Sequence, residues 1–230
     1  MKKIEILTKN NSYFTREAYK TLRTNINFCG SDNKAICITS CEKNEGKSTI
    51  SIELSKNLAE INKRVLLVDA DLRKSVLLSK NTNESDLSGL SQYLAGHYPL
   101  EEVIYSTQID NFDIIFSGQY PPNPSELLNS KRFDELIEYA KQHYDYIIID
   151  TPPLGLVIDA AIVAEKCDSA IIVIAKNQVK FSRAKSVKEQ IEKSGCKILG
   201  AVINEVTRPK RHQRIGSYSK YSQYDKYSHY

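Results

Sequence analysis

The sequence predicts an α/β fold, a mostly parallel sheet flanked by helices on both faces. Three observations predict it. Short runs that are apolar at every position recur along the chain, as strands buried on both faces require. Segments whose apolar residues repeat near 3.6 separate them. The composition of the 230 residues, 41% hydrophobic and 26% charged, is that of a globular protein.

The elements follow in order. The first dozen residues, rich in Lys and Asn, read as a mobile terminus. Thr15–Phe28 reads as a helix, with Ala18, Tyr19, Leu22 and Ile26 on one face and Gly30-Ser31-Asp32-Asn33 closing it. Apolar strands are expected at Ala35–Thr39, Val65–Val68, Phe112–Phe116, Tyr146–Ile149, Ala170–Ala175 and Ile198–Ile203. Helices are expected at Lys47–Ile61, Phe133–His143 and Ser182–Lys193, the last turning Ala184, Val187 and Ile191 inward. Residues 74–110 form a long excursion, with short helices at Leu87–Leu94 and Leu100–Ile104. Pro121-Pro122-Asn123-Pro124 is a stiff loop, and Ser125 with Leu127-Leu128 starts a helical turn after it. From Thr207 onward Ile215 is the lone aliphatic residue, too little apolar surface to offset ordering entropy. The chain thus divides into a folded domain, 1–206, and a disordered tail, 207–230.

Several classes are excluded. No apolar run approaches the roughly 20 residues that cross a bilayer. The start, Met1-Lys2-Lys3-Ile4-Glu5, leads into no signal core, so a soluble cytosolic protein is expected. The five cysteines, at 29, 37, 41, 167 and 196, form no CxxC pair. The histidines at 97, 143, 212 and 229 are scattered, against a structural zinc site. The net charge of +4 lies in the tail, where six basic residues meet one acid, a balance of +5 that leaves −1 for the rest. A nucleic-acid reading would rest on that tail alone, and none is expected.

Ligands of parallel sheets bind at the carboxyl ends of strands. There, Ser40-Cys41-Glu42-Lys43-Asn44-Glu45-Gly46-Lys47-Ser48-Thr49 joins a strand to a helix and ends as a phosphate-binding loop does. A helix N-terminus offers free N–H groups and partial positive charge. Lys47 would reach the β/γ phosphates and Ser48 would bind Mg²⁺. Cys41 and Asn44 stand where glycines are usual, and Asn tolerates a left-handed backbone. An inert buried thiol is the plain reading of Cys41. Two more strands end in Asp69-Ala70-Asp71-Leu72-Arg73 and Asp150-Thr151-Pro152-Pro153. Acids there need a cation or a solvated cleft. Ser48, Asp69, Asp71 and Asp150 make a magnesium-type donor set.

These three motifs resemble Walker A, A′ and B of the bacterial tyrosine kinases. The stretch from Ser117-Gly118 to Pro124-Ser125-Glu126-Leu127-Leu128 resembles theirs as well. The likeness is greatest to the CpsD-like cytosolic kinase subunits of Gram-positive capsule and exopolysaccharide systems, and runs from about Glu17 to the last residue. It implies a P-loop NTPase fold of the MinD/ParA-related type, Mg-ATP as cofactor and autophosphorylation on a C-terminal tyrosine cluster. It also implies a separate membrane-bound activator of the polysaccharide co-polymerase type, an opposing tyrosine phosphatase and a ring-shaped homo-oligomer such as an octamer. Recruitment to the inner face of the membrane would then depend on the partner.

The resemblance also assigns residues. Asn44, Glu45, Gly46, Lys47, Ser48 and Thr49 cradle the nucleotide, and Asn204 takes the place of the residue that reads the base; a plain strand cap is the alternative. Lys47, Asp69, Asp71 and Arg73 are the catalytic candidates. Asp69 is the first choice of base, with Asp71 second. Arg73 is either a transition-state cation or a surface arginine. The chain departs from the family at three places. Glu42 replaces the signature lysine of MinD/ParA enzymes, Lys43-Asn44 replaces Pro-Gly, and the N-terminal oligomerisation motif reads Glu17, Lys20, Arg23, with Lys for a central Arg that would fork. At i, i+3, i+6 on a helix of about residues 14–28, those three fit an intrahelical ion pair equally well.

Tyr218, Tyr221, Tyr224, Tyr227 and Tyr230 recur every third residue. Neither a strand face nor a helix face has that period, so the cluster reads as repeated acceptor sites. A sticky nucleic-acid tail is the alternative. Five phosphotyrosines would add about −8 to −10 charges and reverse the tail's sign, expelling a basic tail from an acidic active site. The competing functions are a MinD/ParA-like ATPase switch and a non-catalytic adaptor.

Overall fold

The computed structural model describes residues 2–7, 11–85 and 87–206. The tail at 207–230, with its tyrosine cluster, lies outside the described residues. Eight strands form one sheet in the order β1-β4-β5-β3-β6-β2-β7-β8. They are β1 (Lys2–Ile4), β2 (Ala35–Ser40), β3 (Val65–Asp69), β4 (Tyr105–Thr107), β5 (Phe112–Ile115), β6 (Tyr146–Asp150), β7 (Ser169–Ala175) and β8 (Lys197–Asn204). All neighbours are parallel except β4 and β5.

The six expected strands are present. The apolar runs give them away because successive side chains enter opposite cores. Ile36, Ile38, Leu67 and Ile148 pack under α1 (Tyr13–Phe28), α2 (Lys47–Ala59) and α3 (Leu77–Asn81). Cys37, Leu66, Val68, Ile147 and Ile149 pack on the other face. That face carries α4 (Leu90–Leu94), α5 (Leu100–Val103), α6 (Pro124–Leu128), α7 (Lys131–His143), α8 (Asp159–Glu165) and α9 (Phe181–Lys193). Helix α2 is buried from Ile50 to Ala59, between the sheet and α1.

The N-terminus differs from expectation. It is an edge strand, not a loose end. Ile4 and Ile6 alternate with charged neighbours, and both side chains are buried. Gln108 extends the pairing, accepting from the Ile6 N–H at 2.8 Å and donating to its carbonyl at 2.6 Å. The Lys-rich composition masked a two-residue alternation. Strand β4 and helices α3 and α8 were also unanticipated, each too short to show a period.

Candidate active site

Strands β3, β6 and β2 are adjacent at the sheet centre, so their carboxyl ends bring the three motifs together. Asp69 and Asp150 are register partners, and Ile38 pairs with Asp150 from the other side. A cavity of about 730 Å³ opens there. Its lining includes Asn44, Gly46, Lys47, Ser48, Thr49, Asp71, Arg73 and Asn204.

The loop before α2 takes its shape from two left-handed residues, Asn44 (φ 63°) and Gly46 (φ 87°). Asn44 thus adopts the conformation that its amide side chain tolerates. Glu45 is buried and braces the loop rather than facing the cavity. Its carboxylate accepts from the N–H of Glu42 at 2.5 Å and of Ala175 at 2.9 Å. Asn204 donates to the Glu45 carbonyl at 2.9 Å. Glu42, at the signature-lysine position, pairs with Arg183 of α9 at 3.0 Å. Arg183 also donates to the Gly155 carbonyl. Cys41 is buried, and burial, with Glu45 and Glu42 adding to it, pushes its thiol up to about 11.

The acids divide into two layers. Asp71 lines the cavity, 3.5 Å from Lys47 Nζ, and accepts from the Lys74 N–H at 3.0 Å. Asp69 is wholly buried beneath it, bonded to the Ser75 hydroxyl and the Asp71 N–H. Burial first, and then the Asp150 charge, push its carboxyl up to about 8. Asp150 Oδ1 accepts from Ser51 at 3.0 Å, and Oδ2 has no partner among the described residues. Burial raises the Asp150 carboxyl, while the Lys47 charge and the Ser48 and Ser51 hydroxyls pull it back.

That orphaned oxygen is the test of fit for a cation. A buried carboxylate oxygen without a partner is costly, and a magnesium ion beside Ser48 would satisfy it. No group of three His, Cys, Asp or Glu among the described residues makes a self-contained metal site. Mg²⁺ needs none, because it takes most of its oxygens from phosphates and water.

Sequence reasoning missed Ser51, Ser75, Arg183 and Asp159. Asp159 was detectable. It is the lone charge in the run Leu154–Ala164, and a carboxylate in an apolar run needs a partner. That partner is Arg73, whose Nε reaches Asp159 Oδ2 at 2.6 Å. The rim is basic, lined by Lys43, Lys47, Arg73, Lys74 and Lys80 against Asp71 and Glu205, the reverse of the acidic site expected for a basic tail. Glu17 and Lys20 form an exposed ion pair at 2.8 Å within α1. Arg23 turns to α2, donating to the Asn57 carbonyl at 2.9 Å.

Residues 33–198 match the family model described as an AAA domain. The chain is 41% identical over 207 residues to tyrosine-protein kinase CpsD of Streptococcus agalactiae, covering 90% of this chain and 88% of that one. It belongs to the bacterial tyrosine kinase family. A solved member, the kinase domain of the Escherichia coli tyrosine kinase ETK, superposes with a TM-score of 0.80 at 35% identity, over 92% of this chain and 86% of that one. The kinase-family fold is also that of MinD. The Pyrococcus horikoshii septum site-determining protein MinD, complexed with Mg-ADP, gives a TM-score of 0.65 at 30% identity, over 77% and 72% of the two chains. Among the described residues no helix is long and apolar enough to cross a membrane.

Proposed function

We propose that the chain is an ATP-dependent protein tyrosine kinase that autophosphorylates its C-terminal cluster, Tyr218 to Tyr230, between subunits. One observation carries the reading. Lys47 and Asp71 line one cavity, with Asp69 and Asp150 buried at the strand ends behind it, in a chain similar over nearly its whole length to proteins named tyrosine-protein kinases.

The residues divide the work. Free N–H groups at the start of α2 and the Lys47 ammonium hold the nucleotide's phosphates. Ser48 and Asp150 would hold Mg²⁺, which when bound neutralises phosphate charge. An acceptor tyrosine, with its ordinary pKa near 10, needs a base at the cavity surface. Asp71 lines the cavity and Asp69 lies beneath it, so the base is Asp71 and Asp69 is a buried support. Asn204 braces the loop at Glu45 and borders the nucleotide's seat.

By the same reading the kinase works in capsular or exopolysaccharide synthesis and export. A membrane-bound partner of the co-polymerase type recruits it to the inner face of the membrane, and a phosphatase reverses it. Self-association into a ring would use the exposed α1 residues Glu17 and Lys20, while Arg23, turned onto α2, would support that face from within. The second reading, a MinD-like ATPase that transfers phosphate to water alone, is favoured by the MinD likeness. Glu42, held by Arg183 where MinD/ParA enzymes carry a lysine, weighs against it.

Intact mass after incubation with Mg-ATP tests the proposal, with and without the cytosolic part of a co-polymerase. The kinase predicts steps of about 80 Da, one phosphoryl group each, mapping to Tyr218–Tyr230 and absent from Lys47→Met. ATP consumed in a Lys47-dependent way with no mass shift would establish the ATPase instead.

A further inference from the structure

Three loops that follow three different strands meet at one buried carboxylate. Asp159, the first residue of α8, is wholly buried. Arg73, from the loop after β3, grips it at two points, Nε to Oδ2 at 2.6 Å and Nη2 to Oδ1 at 3.0 Å. Ser125, on α6, closes a triangle. Its hydroxyl donates to Asp159 Oδ1 at 2.7 Å and accepts from Arg73 Nη2 at 3.0 Å. Two of the three guanidinium nitrogens, Nε and Nη2, are thus held by protein partners, although Arg73 borders the cavity.

Two residues before Arg73 is Asp71, which faces Lys47. From residue 69 to 75 the chain carries short anchors: the Asp71 N–H on Asp69, the Lys74 N–H on Asp71 and the Ser75 hydroxyl on Asp69. These anchors are local, and the Ala70 N–H ties the start of the segment to the Asp150 carbonyl of β6 at 2.8 Å. The Arg73 fork ties it laterally to α6 and α8.

We infer that Asp159 and Ser125 are positioning residues of the reaction proposed above, acting through Arg73 to hold Asp71 against the Lys47 side of the cavity. Arg73 then works by anchoring the loop and does not touch the transferred phosphoryl group. A planar, forked guanidinium suits a two-point hold on a carboxylate; an ammonium does not. This inference rests on the kinase reading for the identity of the reaction, but not for the coupling among the three residues.

The test is a double-mutant cycle in the full chain with Arg73→Ala, Asp159→Asn and the pair, alongside Arg73→Lys. Two quantities are read: amide exchange of residues 70–76 without nucleotide, and steady-state turnover with Mg-ATP. Each single variant should speed exchange to the same extent. Each should lower kcat by about tenfold to a hundredfold, the scale of a misplaced reacting group, with KM for the nucleotide within about twofold. The double variant should be no worse than either single one, because coupled residues are not additive. Arg73→Lys should behave as Arg73→Ala does. Ser125→Ala, the mildest change, should move both readouts in the same direction and serves if the others fold poorly.

Additive losses, with Arg73→Ala at least about tenfold worse than Asp159→Asn, would overturn the inference and place Arg73 on the phosphoryl group. Unchanged exchange in Asp159→Asn would overturn it too. If wild-type protein consumes ATP without labelling tyrosine, the kinase reading fails. The same cycle, read on hydrolysis and exchange, still decides the clamp.

Discussion

The side-chain nitrogen of Asn204 occupies the space that a Cβ on residue 46 would need, 2.0 Å from its ideal position. Gly46 is also left-handed, at φ 87°. Strand β8 therefore presses on the phosphate loop through one amide, and residue 46 is glycine for two separate reasons. Gly46→Ala should lose about 1–3 kcal/mol of stability, together with nucleotide affinity. Asn204→Ala in that background should relieve the crowding but not the backbone strain. Urea denaturation and nucleotide titration of the three variants check this. Full rescue by Asn204→Ala would mean that the φ angle is unimportant.

Asp69 should make the nucleotide-free protein less stable as pH rises. Its folded pKa is raised to about 8, chiefly by burial. Between about pH 4 and pH 8 the folded state therefore holds a proton that the unfolded state has released. Stability from this group is full below pH 4 and declines as pH climbs towards 8. Asp69→Asn removes that slope. Its melting temperature relative to wild type should rise with pH, reaching at least about 2–4 °C at pH 8, the shift for roughly 1 kcal/mol in a chain of this size. A difference that stays constant from pH 4 to pH 8 would contradict the assignment.

Glu42 and Arg183 predict what restoring the signature lysine would do. Glu42→Lys sets a second cation beside Arg183, which also holds the Gly155 carbonyl. The pair is about 40% exposed, 39% at Arg183 and 43% at Glu42, so its own contribution is about 0.2–1 kcal/mol. Glu42→Lys should weaken nucleotide binding modestly and leave ATP turnover unstimulated by self-association. Turnover that rises steeply with protein concentration in Glu42→Lys, but not in wild type, would show that a lysine alone suffices for MinD-like behaviour.

Of the six expected strands, the inner ones were legible because burial on both faces leaves an unbroken apolar run such as Ile147-Ile148-Ile149, whereas β8, a half-exposed edge strand, was legible from its aliphatic residues alone. The acids at their ends were legible for the same reason, standing where such a run stops. Which acid faces the cavity was not legible. Asp69 and Asp71 are two residues apart, and the turn after β3 decides that one is buried and the other borders the cavity. Asp159 is visible as a lone charge in an apolar run, but its partners, Arg73 and Ser125, lie 86 and 34 residues away in sequence. No local pattern records such a pairing. Strands β1 and β4, at three residues each, carry too few side chains to show a period.

The terminus offers the sharpest check on that correction. Ile4 and Ile6 are 3% and 1% exposed, in the core that also holds Ile114 and Leu77. Beyond β1, Ile6 is gripped by Gln108, and the Leu7 N–H donates to the Asn81 carbonyl at 2.7 Å. Ile6→Ala should therefore cost about 2–5 kcal/mol, as large-to-small changes in cores do. Glu5→Ala, between the two isoleucines but exposed, should stay within about 0.5 kcal/mol. Urea midpoints for the two variants separate an edge strand from a loose end. A loose end predicts no shift for either, whereas the edge strand predicts a shift for Ile6→Ala with an unchanged slope, since the same surface is exposed on unfolding.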